Sequence, residues 1–319
     1  MPKYKNKYCF SVSQMNTCLS CSMKYYLSYR LRIKGPPNHN LWLGSAGHLG
    51  NEIYLKSKKH NIPYNLDYIE ESISSFVDSE WNKLAIEDRD AVEKEIAEKI
   101  QQNLENPRKK KPYTKNLEEI KVRAIEGTKK FINYYEKLEA QPMLVEQWFE
   151  LPTVDPQTGE VIPDVSLIGK IDLVHALSTA AGSQKIELRD HKYIGQRKKD
   201  AELKGDLQTC MYLLALKLLF GIEPDYTGLY MFLKQKEISF EEINIRAKDT
   251  LDPGILLYYA KMMKNTIEND IWIPNFQAQW HNYCDFKPVC ERFNGDMDEF
   301  HKTINEWLGD NGKKTIEFS

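Results

Sequence analysis

Two short apolar segments decide the fold of this chain: residues 168–174 read IGKIDLV, and residues 186–192 read IELRDHK. Their length and aliphatic content predict two strands. Each strand carries an acid, Asp172 in the first and Asp190 in the second, although aspartate is disfavoured inside strands. Because side chains alternate between the faces of a strand, Asp190 and Lys192 point to the same side. The sequence therefore predicts a sheet that carries two aspartates and a lysine.

Two such aspartates need a partner. An acid buried in an apolar strand costs on the order of several kcal/mol unless it is paired, and a metal is a common solution. Two carboxylates hold a hard divalent cation, and a lysine positions a water, which together suffice for metal-dependent phosphodiester hydrolysis. Three surface charges on edge strands would explain the same triplet, because Asp-x-Lys is common by chance.

Composition indicates a globular protein with a real core. The chain has 319 residues, 41% hydrophobic and 28% charged, with a formal net charge of -2 that says little about partners. It contains no apolar run of membrane-spanning length and no signal peptide, so we expect a cytoplasmic protein without a membrane partner. In a reducing compartment its cysteines are expected to be free thiols or metal ligands.

Periodicity predicts leading helices, then a mixed sheet, and then a cysteine-bearing tail, which is an α/β fold with a mixed central β-sheet. A basic exposed loop is expected at residues 106–112. Helices are predicted at about 11–32, 43–59, 203–220 and 252–268, and two or three long amphipathic helices are predicted within 66–104 and 116–139. Strands are predicted at 145–151, 165–176, 185–192, 226–233 and 238–246.

Two further patterns accompany the aspartates. Residues 44–52 read GSAGHLGNE, which places His48 and Glu52 on one helix face after small residues that permit close approach of a backbone or a phosphate. Alone, His48 is best explained as a partly buried helix residue; beside two aspartates it becomes a candidate third metal ligand. Gln208 and Tyr212 also share a helix face, either as a polar helix start or as groups that orient a carboxylate or a phosphate. Residues 196–199 (QRKK) form a basic patch suited to phosphate contacts.

The cysteines gather near both ends of the chain. Cys18 and Cys21 are three apart, Cys284 and Cys290 are six apart, and His281 precedes Cys284 by three. If the tail folds back on the first helix, these residues predict a metal site. Cys9 and Cys210 are expected to be ordinary thiols.

Taken in order, these motifs resemble the RecB-like nucleases of the PD-(D/E)xK superfamily, especially CRISPR-associated and phage-encoded single-domain exonucleases and the AddB-type nuclease domain. The resemblance runs from Ser11 to Cys290. Its motifs are a Ser-x-Ser start with a cysteine and an aromatic pair (11–26), Gly-x-x-x-His-x-x-x-Glu (44–52), Gly-x-x-Asp (169–172), Asp-x-Lys (190–192) and Gln-x-x-x-Tyr (208–212).

The resemblance implies a restriction-endonuclease-like sheet and a single nuclease domain over residues 1–319. Residues 1–140 would be a mostly helical portion, 141–270 the catalytic α/β core, and 271–319 a tail with cluster ligands. Mg²⁺ or Mn²⁺ would be bound by His48, Asp172 and Asp190, while Lys192 would orient the attacking water. The Pro163-Asp164 pair is an alternative acid, but it is expected in a loop, so Asp172 is preferred.

Many members of the family also carry a [4Fe–4S] cluster on one N-terminal and three C-terminal cysteines. Here Cys21, Cys284 and Cys290 take three positions, and His281 stands at the fourth. Either His281 completes the cluster, or Cys18 does, or the cluster is lost; zinc on the four cysteines is another possibility. A retained structural cluster is favoured.

The resulting expectation is a deoxyribonuclease, most simply an exonuclease on single-stranded DNA or DNA ends. Tyr25, Tyr26 and Trp42 are expected to stack on bases, and the basic residues 109–111 and 197–199 to contact phosphates. The alternatives are an endonuclease or nickase of a recombination or CRISPR assembly, and a degenerate DNA-binding module. No ATP-binding Gly-rich motif is present, so a helicase or recombinase partner would supply unwinding. A bacterial or phage source fits this compact architecture.

Overall fold

The computed structural model describes residues 6–33, 40–105, 116–155, 158–178, 182–235, 237–310 and 315–317. The chain divides into two compact units. Unit 1 comprises Met1–Pro36, Pro152–Ile168 and Gly254–Ser319, and unit 2 comprises Pro37–Leu151 and Gly169–Pro253. The basic loop expected at 106–112 lies outside the described residues.

The prediction of an α/β fold with leading helices, a mixed sheet and a cysteine-bearing tail is confirmed. No helix in the described part of the chain is long and apolar enough to span a membrane. The elements in chain order are β1 (Tyr8–Phe10), α1 (Val12–Ser20), α2 (Ser22–Tyr25), α3 (Asn40–Lys59), α4 (Leu66–Asn82), α5 (Ile86–Glu105), α6 (Leu117–Tyr135), β2 (Ala140–Val154), β3 (Val161–Ser178), β4 (Gln184–Ile194), α7 (Asp200–Lys204), α8 (Leu207–Ala215), β5 (Tyr226–Lys234), β6 (Ile238–Arg246), α9 (Gly254–Glu268), α10 (Lys287–Cys290) and α11 (Met297–Asp310).

The sheet of unit 2 has the strand order β3-β4-β5-β6, and β2 also pairs with β3. Strands β3 and β4 are antiparallel, β4 and β5 are parallel with α7 and α8 between them in sequence, and β5 and β6 are antiparallel. In unit 1, β1 pairs in parallel with residues 165–167 of β3. The sheet is therefore mixed, as the sequence predicts.

Strand β5 is buried on both faces, which explains its almost continuous apolar sequence. Tyr230 and Phe232 belong to the large core that also includes residues of α3, α4 and α6. Leu229, Met231 and Leu233 point the other way and pack with residues of α7 and β6. The sheet of unit 2 therefore has a core on each side.

The helix predicted over residues 11–32 is wrong as a continuous element. Ser11 does cap α1, since its hydroxyl accepts the N–H of Gln14 at 3.3 Å and the Gln14 side chain accepts the N–H of Ser11 at 2.8 Å. The backbone then turns extended at Cys21, whose sulfur accepts the N–H of Lys24 at 3.3 Å and so begins α2. A side-chain cap inside the predicted helix thus divides it.

Two other expectations need correction. The helix predicted over 203–220 is divided by Gly205 and Asp206, because the Asp206 carboxylate caps α8 by accepting the N–H of Thr209 at 3.0 Å. Asp164 lies in strand β3 rather than in a loop, and its positive φ of 61° marks a local distortion of that strand.

Helix α3 approaches strand β4 through a glycine. A Cβ added at Gly47 would lie 2.0 Å from the hydroxyl oxygen of Tyr193, whereas one at Gly44 would meet only the Tyr193 Cβ at 3.9 Å. The small residues before His48 therefore admit a side chain of β4. This contact sets the distance of His48 from the strand.

Gly47→Ala is expected to destabilise the protein by about 1–3 kcal/mol, because the added methyl group overpacks the contact with Tyr193. Gly44→Ala on the same helix is the matched control, and it should stabilise by up to about 1 kcal/mol because alanine has the higher helix propensity. Urea unfolding of both variants measures the difference. Equal stability of the two would contradict the role of Gly47.

Candidate active site

The candidate site lies in unit 2, where strands β3 and β4 separate. The ladder of paired residues between them ends at Leu173 and Arg189. Beyond it, the carboxylate of Asp172 accepts the backbone N–H of His191 at 2.9 Å, so a side chain takes the place of a ladder bond. Asp172 is 5% exposed and Asp190 6%. Both strand acids are therefore buried beside the gap.

His48 reaches this gap from helix α3. Its Nε2 lies 2.9 Å from the carbonyl oxygen of His191, which can only accept, so Nε2 carries a proton and donates it. Its Nδ1 lies 3.5 Å from a carboxylate oxygen of Asp172 and 3.6 Å from one of Glu146. This orientation leaves Nδ1 directed at two acids, as in a histidine whose other nitrogen is held by a carbonyl for metal binding.

Glu146 is a site residue that the sequence motifs do not include. It belongs to strand β2, has a left-handed backbone with φ 49°, and its side chain is only 4% exposed. Its second carboxylate oxygen pairs with Lys170. The signal that could have found it is the one used for Asp172, an acid inside an apolar strand.

The side chains around His48 carry excess negative charge when His48 is neutral. The three acids are Glu146, Asp172 and Asp190, and the two lysines paired with them are Lys170 and Lys192. Burial favours a low pKa for His48, but the interaction with Glu146 and the charges of Asp172 and Asp190 outweigh it and raise the pKa to about 9. Burial, followed by the charge of Asp190, raises the pKa of Asp172 to about 8 despite nearby His48. Protons thus neutralise a site that a divalent cation could neutralise instead.

The second half of the site is a closed hydrogen-bond network around Asp190. The ammonium of Lys192 lies 2.9 Å from one oxygen of Asp190 and donates to Gln208 Oε1 at 2.8 Å. The Gln208 amide nitrogen donates to the other Asp190 oxygen at 3.0 Å and lies 2.8 Å from the Tyr212 hydroxyl. Since lysine can only donate and carboxylate only accept, the amide has one possible orientation.

The glycine before Asp172 has a packing role. A Cβ at Gly169 would lie 2.7 Å from the ring of Phe149 and 3.2 Å from that of Tyr212. These two rings meet edge to face with centroids 5.9 Å apart. The glycine of the Gly-x-x-Asp motif therefore lets strand β3 pass over Tyr212. This packing holds helix α8, which carries both Tyr212 and Gln208.

Donor atoms of His48, Asp172 and His191 all lie within 4.8 Å of one another, and no other such group of three occurs among the described residues. Asp190 stands beside them, engaged by Gln208 and Lys192. The structure thus brings His48, Asp172, Asp190, Lys192, Gln208 and Tyr212 into one region. Asp164 belongs to unit 1 and is exposed, unlike Asp172.

The aromatic residues expected to stack on bases are buried instead. Tyr25 is 3% exposed, Tyr26 9% and Trp42 8%. In unit 1, the rings of Tyr25 and Tyr26 stack on Trp272, with centroids 6.3 and 4.8 Å apart. Apolar packing rather than base contact explains them. Of the two basic segments, 197–199 lies in the connection after β4, where Arg197 and Lys199 are exposed and Lys198 is half-buried, and 109–111 is outside the described residues.

Three of the terminal cysteines lie within electrostatic range of one another in unit 1. The charges of Cys21 and Cys284 both act on Cys290, and together with burial, which dominates, they raise the pKa of its thiol to about 12. Burial, followed by the charge of neighbouring Cys21, raises the pKa of Cys18 to about 11. His281 is buried, and its Nε2 has no hydrogen-bond partner.

Comparison with known proteins agrees with this architecture. The family model of the PD-(D/E)XK nuclease superfamily matches residues 9–291, and the chain belongs to that superfamily. It is therefore a nuclease by family, and members of this family use divalent metals. No curated protein matches the chain significantly.

Solved structures match the fold, with 13 similar chains found. One is a crystal structure named "Putative exonuclease" from Eubacterium rectale. It is 14% identical, with a TM-score of 0.51, and the match covers 94% of this chain and 98% of that one. At this identity the likeness shows the shared fold.

Glu146→Gln should lower the pKa of His48 because it removes one of the two carboxylates that face Nδ1. The measurement is an NMR titration of the His48 ring in the presence of a chelator. Glu139→Gln, an exposed position just before the same strand, is the matched control and should leave the titration unchanged. An unaltered His48 titration in Glu146→Gln would show that Glu146 does not act on the histidine.

Proposed function

We propose that this protein is a RecB-like, metal-dependent deoxyribonuclease, acting as an exonuclease on single-stranded DNA or DNA ends. The proposal is supported by two neighbouring groups of side chains in unit 2, one around His48 and Asp172 and the other around Asp190 and Lys192. The buried Asp172 and the half-buried His48, which carry excess negative charge with their neighbours, adjoin a lysine that Asp190 and Gln208 hold in place. The order of the five motifs supports the RecB-like branch, and residues 1–319 would act as one nuclease domain.

The donor set fits a divalent metal, with His48, Asp172 and Asp190 as ligands. Bound Mg²⁺ or Mn²⁺ would polarise the scissile phosphate and lower the pKa of a water. Lys192 would orient that water and stabilise charge on the phosphate through its ammonium group. Gln208 keeps Lys192 and Asp190 in register, and Tyr212 supports Gln208 through its hydroxyl.

Exonuclease action is supported by the resemblance to single-domain exonucleases and by the name of the similar structure from Eubacterium rectale. Digestion of single-stranded circles distinguishes it from an endonuclease or nickase of a recombination or CRISPR assembly, because an obligate exonuclease leaves circles intact. If the protein acts on duplex DNA, a helicase or recombinase partner would supply single strands.

Lys192→Ala is expected to slow Mn²⁺-dependent digestion of end-labelled single-stranded DNA by about 10²- to 10³-fold, as for loss of a group that stabilises developing charge. Lys185→Ala, an exposed lysine on the same strand, is the control and should retain activity. Binding of DNA in the presence of a chelator separates catalysis from affinity. Full activity in Lys192→Ala would contradict the proposed role, and no activity in any variant would favour a degenerate binding module.

The basic patch at 197–199, whose Arg197 and Lys199 are exposed, is proposed to contact phosphates. Alanine at Arg197, Lys198 and Lys199 should weaken DNA binding and reduce the dependence of log K on log salt by roughly 0.7 for each phosphate that the patch neutralises. A triple variant of equal charge change, with alanine at Lys56, Lys58 and Lys59, is the control. An unchanged salt dependence in the first variant would exclude the patch.

The residues of unit 1 fit an iron–sulfur cluster. Cys21, Cys284 and Cys290 interact electrostatically, and the sulfur of Cys21 accepts backbone N–H groups from Lys24 and Asn275 at 3.3 and 3.4 Å. No group of three in the described part of this unit has its donor atoms within 4.8 Å. Zinc held by Cys18, Cys21, Cys284 and Cys290 is the alternative to a cluster.

We propose a structural [4Fe–4S] cluster with His281 as its fourth ligand, since the partnerless Nε2 of His281 is buried; Cys18 is the alternative. Anaerobically purified protein should be brown and contain iron and sulfide. His281→Cys should retain the cluster, His281→Ala should lose it faster in air, and Cys18→Ser should behave as wild type. Zinc without iron, or cluster loss only in Cys18→Ser, would refute this assignment.

A further inference from the structure

The imidazole of His191 is a buried polar group without a hydrogen-bond partner. The residue is 1% exposed, and neither ring nitrogen has a hydrogen-bond partner. It stands between Asp190 and Lys192 in strand β4. The roles proposed for these two residues do not require a histidine between them. Buried polar atoms in folded proteins nearly always have partners, so these two nitrogens need an explanation.

The ring lies between an aromatic core and the candidate metal site. On one side it stacks on Tyr230 with centroids 5.7 Å apart and meets Phe131 edge to face at 5.1 Å. On the other side its Nδ1 lies 3.8 Å from the Asp172 carboxylate, and it meets His48 edge to face at 5.6 Å. Phe131 has no polar atom, and the Tyr230 hydroxyl makes no hydrogen bond to His191, so the Asp172 carboxylate is the polar group that its Nδ1 faces.

The separation of β3 and β4 explains how a residue between Asp190 and Lys192 reaches their site. His191 points to the opposite face of β4 from Asp190 and Lys192, because the ladder between β4 and β5 is regular through it. Here the Asp172 carboxylate inserts at the end of the ladder and binds the backbone N–H of His191. The carboxylate thus comes within reach of the His191 ring as well as of His48.

We propose that His191 is a metal ligand, so that two imidazoles and the Asp172 carboxylate form a centre that binds transition metals in preference to Mg²⁺. The proposal rests on the metal site of the proposed function and adds a ligand and a selectivity to it. Imidazole nitrogens suit transition metals, whereas Mg²⁺ keeps oxygen ligands and water. The donor atoms of His48, Asp172 and His191 lie within 4.8 Å of one another. The His48 side chain is 30% exposed and gives access from solvent.

The direct test counts histidine ligands in wild-type protein loaded with Mn²⁺. Electron spin-echo spectroscopy detects couplings from ligating imidazole nitrogens, and two are expected. One coupled nitrogen, or none, would overturn the proposal. This measurement needs no variant and is therefore independent of folding defects.

Variants then test selectivity by calorimetric titration with Mn²⁺ and with Mg²⁺. His191→Leu should lower Mn²⁺ affinity by at least about tenfold, and Mg²⁺ affinity by less than about threefold because Mg²⁺ prefers oxygen. His191→Gln retains a polar side chain and should show the same loss. Circular dichroism of the metal-free variants checks that they are folded. Equal Mn²⁺ affinity in folded His191→Leu and wild type would overturn the assignment.

The outcome is separable from that of the nuclease proposal. Two coupled nitrogens in a protein that digests no DNA would retain the ligand assignment and refute the nuclease proposal. Lys192-dependent digestion with a single coupled nitrogen would support the nuclease proposal and refute His191 as a ligand. A merely packing role of His191 predicts the loss of stability but no change in Mn²⁺ coordination.

Discussion

The site depends on one hydrogen bond, from the backbone N–H of His191 to the carboxylate of Asp172. It forms where the ladder of β3 and β4 ends, and it satisfies a buried donor that would otherwise lack its strand partner. The bond holds Asp172 between the strands, within reach of His48 from helix α3. The carbonyl of the same residue fixes the His48 ring. One peptide segment of β4 thus organises both the acid and the histidine.

Two glycines allow the close packing that holds this arrangement in place. Gly47 lets α3 approach Tyr193, and Gly169 lets β3 pass over Phe149 and Tyr212. Both glycines are explained by the side chains that a Cβ would strike rather than by unusual backbone angles. Burial then makes the Asp172 carboxylate unfavourable as a free charge and raises its pKa, while the nearby acids raise the pKa of His48 against the effect of burial. The same imbalance is the physical basis for divalent cation binding.

Sequence spacing predicts the parts of the site that follow regular geometry. Alternation along a strand and one turn of a helix are enough to predict that Asp190 lies with Lys192, and Gln208 with Tyr212. Glu146 could not be found this way, because a left-handed residue in β2 breaks the alternation. Cys21 ends a predicted helix through a side-chain cap, and the rings of Tyr25, Tyr26 and Trp42 are buried by tertiary contacts. Neither effect is visible in local periodicity.

The gap between β3 and β4 is the proposed binding site of the divalent metal. Anomalous diffraction at the manganese absorption edge, from crystals grown with Mn²⁺, tests it most directly. We predict a strong peak within coordination distance of His48 Nδ1 and the Asp172 carboxylate. A fully occupied Mn²⁺ site elsewhere, with no peak beside His48 and Asp172 and their contact unchanged, would contradict metal binding at the gap.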